Sequence, residues 1–317
     1  MDPSSDIILD TPYFRIYSDR RIDRLMGTET VPAGFDPTTG VTSKDVVIDS
    51  DAGLYVRLYL PDMAATGTGS RRSPPNDDDD KKLPVLVYFH GGGFVTQSAA
   101  SPVYQRFLNA LAAKAGLLIV SVNYRLAPEH PLPAGYEDSF RAFTWTTSAG
   151  NGGDGDPWLS RHGDLRRVFL AGDSAGGNID HNVAMMADDA AADRGEPVDG
   201  EAPASRARME KLWGFVCPDA TDGVDDPRVN PLVAAAAPSL RDLPCERVLV
   251  CAAELDSLLP RDRAYYEAIK ATRGWRGRVE WFESQGQDHV FFLFKPVCGE
   301  AVALMDRLAA FFAGKTE

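Results

Sequence analysis

A serine ringed by glycines is the first residue whose setting suggests chemistry. Gly172-Asp173-Ser174-Ala175-Gly176 fits the pattern G-x-S-x-G and follows an apolar run at 168–171. A serine hydroxyl attacks only when a base takes its proton. A sharp strand-to-helix turn projects such a serine from its tip, beside free N–H groups that favour developing negative charge. Alone, five residues also fit a glycine-rich turn with an incidental serine. A second motif argues against that. His90-Gly91-Gly92-Gly93-Phe94 follows another apolar run, at 83–89. Consecutive glycines let main-chain N–H groups face a bound oxygen, which the tetrahedral oxyanion of acyl transfer needs. The expected donors are Gly91 and Gly92, with Ala175 as a third and Gly93 as the neighbouring option. His90 is read as shaping this loop. The motif lacks the Lys-Ser/Thr of a phosphate loop and the spacing of a dinucleotide fingerprint.

The base must come from five histidines. On a strand–turn–helix framework the triad runs serine, acid, histidine along the chain, which sets aside His90, His130 and His162. His181 lies ~10 Å along the helix from Ser174 at 1.5 Å per residue, and reads as an anchor for that helix. His289 remains, just past the last expected strand. The acid should follow a strand between Ser174 and His289. Asp256 is chosen, with Glu254 as the alternative. Its role is to accept the His289 N–H, fix the tautomer and stabilise the imidazolium. Asp288 would have to fold back, and Asp173 reads as a structural hydrogen-bond acceptor.

The elements that must position these groups alternate. Continuous apolar runs at 83–89, 117–124, 166–172, 247–254 and 278–284 read as buried strands. Helical spacing separates them, at 103–116, 135–148, 174–191, 260–274 and 299–314. The fold class is α/β with a mostly parallel central sheet flanked by helices. Residues 44–61 read as a hairpin turning at Asp51–Gly53. Residues 1–45 read as an irregular or partly helical arm or cap, residues 65–82 as a solvated surface loop, and the core as 46–317. A less regular stretch, 196–240, is expected to pack over the sheet as a cap insertion.

Composition narrows the partners. The 317-residue chain carries a formal charge of −13, a field that repels phosphate backbones, so nucleic acid is not expected. The four cysteines form no CxxC pair, and no metal site is expected; Cys251 and Cys298 read as buried or half-buried thiols. No apolar stretch reaches the ~18 residues of a membrane span. The acidic start, MDPSSDIILD, lacks a signal-peptide pattern, and the cytosol is the expected compartment. The oligomeric state is left open.

Together these residues resemble the plant carboxylesterase family, a branch of the hormone-sensitive-lipase-like α/β-hydrolases. The resemblance rests on HGGGF at 90–94, NYRLAPEHPLPA at 123–134, GDSAGGNI at 172–179, AELD at 253–256 and DHVF at 288–291. FRIYSDRRIDRLMGTETVP at 14–32 is similar to the family's N-terminal arm, and CPDATDGVDDPRVNPL at 217–232 to its cap. The resemblance implies an α/β-hydrolase fold with an N-terminal cap, no cofactor, and hydrolysis of small carboxylic esters by Ser174, His289 and Asp256. Two other classes share the framework. Gibberellin receptors lack the catalytic histidine, which this chain has as His289. The 2-hydroxyisoflavanone dehydratases eliminate water, and a serine-bearing dehydratase or a lyase acting on a glucose ester stays open as an alternative. The chain departs from the family at Asp180, where a small residue is usual; a carboxylate there is expected to face solvent or pair locally.

Overall fold

The computed structural model describes residues 6–62, 82–149, 155–187, 198–232 and 238–314. Its centre is a pair of parallel strands buried on both faces, β7 (Leu83–Phe89) and β8 (Leu118–Asn123), with Val85, Leu86, Val87, Ile119 and Val120 fully buried. Nearly unbroken apolar runs are what such strands require. Helix α1 (Pro102–Ala115) joins them. It starts with proline in its first turn and ends at Gly116, whose φ of 64° lets its N–H reach the Ala112 carbonyl. This is the usual helix stop.

Around that centre the main sheet runs β4-β5-β6-β8-β7-β9. The expected hairpin is β5 (Val41–Asp49) with β6 (Leu54–Pro61), antiparallel. Strand β4 is Phe35–Asp36, so the sheet begins ahead of the expected boundary at 45/46. Helix α2 (Ala134–Ser148) and α3 (Pro157–His162) lead to β9 (Gly163–Gly172), which pairs β7 in parallel. Helix α4 (Ala175–Met186) follows. Near the C-terminus, after the short α6 (Pro238–Arg241), β10 (Arg247–Ala253), α7 (Leu259–Ala271) and β11 (Arg278–Ser284) form a parallel two-stranded sheet of their own, closed by α8 (Phe291–Phe294) and α9 (Gly299–Phe312). Among the described residues no strand joins β9 to β10.

Four expectations are corrected. The N-terminal arm is not helical: β1 (Ile7–Asp10), β2 (Phe14–Tyr17) and β3 (Ile22–Arg24) form an antiparallel meander. Strands of three or four residues are too short to display an alternating period, yet Phe14 and Ile16 point to one buried face. The stretch 196–240 contains a regular helix, α5 (Pro203–Val216). Its buried residues, Trp213, Phe215 and Val216, crowd its last turn instead of lining a face. Cys251 is exposed, on a strand that among the described residues pairs only with β11. Asp180 only partly faces solvent and forms no pair there: the residue is half-buried, and its Oδ1 is buried without a hydrogen-bond partner. The loop expected at 65–82 lies almost wholly outside the described residues. No described helix is long and apolar enough to cross a membrane.

Burial pushes the Asp180 carboxyl up to about 7, against about 3.9 in an unfolded chain. The folded state therefore holds a proton that the unfolded state releases. Stability falls as pH rises from about 4 to about 7 and stays lowered above that. Asp180→Ala should stabilise the protein by about 1–3 kcal/mol at pH 8, through removal of an unsatisfied buried group, and by clearly less at pH 4.5. Urea unfolding at the two pH values measures this; an equal effect at both would contradict it.

Candidate active site

Strand register brings the two glycine motifs together. In the β7–β9 ladder Phe89 stands opposite Gly172, so His90-Gly91 and Asp173-Ser174 leave the sheet side by side. Ser174 is the N-cap of α4 with φ 55° and ψ −119°, a backbone state costly for any residue with a Cβ and held only by surrounding structure. The turn closes because Gly176 has no side chain: a Cβ there would lie 1.9 Å from the Phe89 carbonyl oxygen. Gly92 sits at φ 108°, and a Cβ on it would lie 2.3 Å from the Thr96 carbonyl oxygen.

The structure brings Ser174, His289 and Asp256 into one hydrogen-bonded line. His289 Nε2 lies 2.9 Å from Ser174 Oγ, and His289 Nδ1 lies 2.6 Å from Asp256 Oδ2. Asp256 Oδ1 accepts the Leu258 N–H at 2.9 Å, which orients the carboxylate. Glu254 is turned elsewhere and accepts the Gly286 N–H at 2.7 Å. Asp288 caps the His289 N–H at 2.7 Å. Burial alone would lower the His289 pKa, but the hydrogen bond and charge of Asp256 outweigh it and raise the value above the ordinary 6.5. Asp262, buried beside Asp256, is pushed up to about 7 by that burial and by the Asp256 charge.

Asp173 ties the serine turn to the glycine loop. Its Oδ1 accepts the Tyr88 hydroxyl at 2.7 Å and the Gly91 N–H at 3.2 Å, and its Oδ2 accepts the Tyr104 hydroxyl at 2.9 Å. Tyr104 in turn accepts the Gly91 N–H at 2.8 Å. This corrects one expected donor: the Gly91 N–H is already spent inside this network and is not free for an oxyanion. Among the described residues the N–H groups of Gly92, Gly93 and Ala175 have no such internal partner. Sequence reasoning missed Tyr88 and Tyr104, which read as ordinary apolar members of β7 and α1. The signal was there: a phenol amid a fully buried run needs a polar partner. His90 is fully buried, stacked on Tyr124 at 4.3 Å, with Nδ1 2.8 Å from the Gly91 carbonyl oxygen. Burial pushes its pKa down to about 4, so it is a neutral strut.

The arm and α5 flank this centre. Phe14 of β2 and Leu212 of α5 would touch a Cβ on Gly93 at 3.4 and 3.5 Å. Tyr13 packs its ring 6.2 Å from that of Phe294, on the element that follows His289. Arg24 fixes the arm to the loop through the Val95 and Ala127 carbonyls. His181 is far from the reacting groups, with Nδ1 2.9 Å from the Tyr265 hydroxyl oxygen.

Comparison with known proteins was made on this basis. A family profile described as alpha/beta hydrolase fold matches residues 86–293, and a carboxylesterase family profile matches residues 25–129. Tuliposide A-converting enzyme 1, chloroplastic, of Tulipa gesneriana is 46% identical over 323 residues, covering 98% of this chain and 79% of that protein. The 2-hydroxyisoflavanone dehydratase of Glycyrrhiza echinata is 39% identical over 326 residues, covering 95% and 94%. A solved hyperthermophilic esterase from the archaeon Pyrobaculum calidifontis shares 28% identity with a TM-score of 0.60, covering 86% of this chain and 85% of that one. The chloroplastic label of the tulip relative overturns the expected cytosolic compartment. That expectation rested on the composition of the first ten residues, which does not decide a compartment.

Asp173→Ala should destabilise the fold by roughly 3 kcal/mol or more, at about 1–3 kcal/mol for each buried donor left unpaired. Denaturant unfolding of the purified variant tests this, and an unchanged midpoint would show that the network carries no strain-bearing load.

Proposed function

The chain belongs to the α/β-hydrolase-fold family, among the plant carboxylesterases, and from that membership we propose that it hydrolyses small carboxylic esters through Ser174, His289 and Asp256. The observation that carries the proposal is the line Asp256–His289–Ser174, at 2.6 and 2.9 Å. Ser174 Oγ attacks the ester carbonyl carbon while His289 Nε2 takes its proton. Asp256 holds the proton on Nδ1 and offsets the imidazolium charge. The oxyanion rests on the N–H groups of Gly92, Gly93 and Ala175, with the start of α4 behind them. His289 returns its proton to the leaving alcohol, then activates water that releases the acid.

Residues 1–45 act as arm and cap, and the cap insertion at 196–240 packs beside them over the glycine loop. Phe14 and Leu212 against Gly93 support that placing. The plastid is the proposed compartment, after the chloroplastic tulip relative. A second reading, elimination of water from a hydroxyflavanone, is favoured by the 39% identity to the dehydratase. Product analysis on that substrate separates the two. A receptor role is disfavoured by His289 standing within bonding reach of Ser174.

Ser174→Ala and His289→Ala should each cost roughly 10⁴–10⁶-fold in kcat with short-chain nitrophenyl esters. Survival of activity in Ser174→Ala would refute the assignment. The pH dependence has a defined sign. His289 must be neutral to accept the serine proton, and its pKa is raised, so kcat/KM should fall as pH drops through a value above 6.5. Asp256→Asn removes the cause of the rise. It should move that acid limb to lower pH while lowering the plateau rate.

A further inference from the structure

Ser174 and the Asp256–His289 pair stand on separately paired sheets. Strand β9 pairs only with β7 and β10 only with β11, and among the described residues no backbone ladder crosses between them. Burial records the open edges. Residues 168–171 of β9 and 247–250 of β10 are only half-buried, and Cys251 is exposed, whereas the side chains of β7 are almost all buried. Each half is firm in itself. Ser174 caps α4, which packs beside β9 and β7. Asp256 and His289 move together, because β10 and β11 pair along their whole length and the loops beyond them are joined. The Glu254 N–H donates to the Ser284 carbonyl at 3.0 Å and the Leu255 N–H to the Gln287 carbonyl at 2.9 Å.

Something must set one half against the other. Helix α9 lays Phe312 and Phe311 on Phe169 of β9, with ring centroids 5.1 and 6.4 Å apart. Apolar contact fixes a separation but is not directional. A hydrogen bond is directional. From the main-sheet half, Arg106 of α1 donates to the Leu293 carbonyl and Lys114 pairs with Asp306 of α9. On α4 itself, the described side-chain link to the Asp256–His289 half besides the Ser174–His289 bond is His181 Nδ1 with the Tyr265 hydroxyl, 2.9 Å apart. His181 stands on the helix that Ser174 starts. Tyr265 stands on α7, whose first turn Asp256 holds through the Leu258 and Leu259 N–H groups. The two rings meet edge to face at 5.5 Å and 90°, with Met185 and Val248 in the same apolar cluster. Burial pushes His181 down to about 4 and Tyr265 far above its ordinary value, so both partners are neutral across physiological pH.

We propose that His181 and Tyr265 are positioning residues, whose hydrogen bond sets the register of the Asp256–His289 half against Ser174 in place of a backbone ladder. This rests on the esterase reading. Misplacement of reacting groups by about 1 Å can cost up to about 10²-fold in rate. Loss of one neutral hydrogen bond, which leaves the apolar contact intact, should cost about tenfold.

The test uses the full chain and nitrophenyl acetate. Tyr265→Phe should lower kcat about tenfold with KM within about twofold, and slow organophosphate labelling of Ser174 by the same factor. His181→Asn, which keeps an amide near the place of Nδ1, should recover most of the rate lost in His181→Phe. In the His289→Ala background Tyr265→Phe should have no further effect, because the group it places is gone. Tyr266→Phe, one residue on, serves as the control with wild-type kcat. Wild-type kcat in Tyr265→Phe, with Ser174→Ala inactive, would overturn the positioning role and leave the esterase reading standing. An equal fractional loss in the His289→Ala background would also overturn it, as the mark of a general structural defect. Activity in Ser174→Ala would instead remove the esterase reading itself.

Discussion

The buried carboxylate of Asp173 is the constraint from which the site's geometry follows. Burial raises its pKa, while the Tyr88 and Tyr104 hydroxyls and the Gly91 N–H hold the charge in place. A carboxylate so enclosed is costly unless each acceptor position is filled. Filling them brings together a strand, a helix, the glycine loop and the serine turn. The loop is thus tied at its first glycine, while the N–H groups of Gly92 and Gly93 keep no internal partner among the described residues. The strained serine backbone is held by the same contacts, since Gly176 can approach the Phe89 carbonyl only while the turn stays closed.

Much of this was legible because the signals were local. Two glycine motifs, each after an apolar run, report strand-to-loop junctions regardless of what lies elsewhere in the chain. The chain order of Ser174, Asp256 and His289 selected among five histidines without any distance information. The misses were of another kind. Gly91 looked as suitable a donor as its neighbours, and it is Tyr104, from a helix more than ten residues on, together with Asp173 of the serine turn, that removes it. Meander strands of three or four residues leave no period to read. Helix α5 hides its character because its apolar residues gather at one end. The break between β9 and β10 is invisible in sequence, since both runs read as strands and pairing is a long-range property.

The N-terminal meander links these parts in a way its composition did not suggest. Tyr13 meets the His289 side of the site through Phe294, while the next residue, Phe14, lies against the glycine loop at Gly93. Tyr13 lies in the bend ahead of β2 and Phe14 is the first residue of that strand, so two neighbouring residues reach different sides of the Ser174–His289 pair. Arg24 anchors the same meander to the Val95 and Ala127 carbonyls and to Glu129.

The separately paired strands β10 and β11 have a consequence for how the protein fails. Their contacts are nearly all local to one βαβ segment, so this segment is suited to open and reclose as a single cooperative unit, at a lower free energy than the main sheet. Each such excursion would carry off Asp256 and His289 together and leave Ser174 standing in an otherwise folded molecule. Under heat or denaturant, enzymatic silence would then precede the loss of helix signal, and it would be reversible for as long as the larger sheet survived.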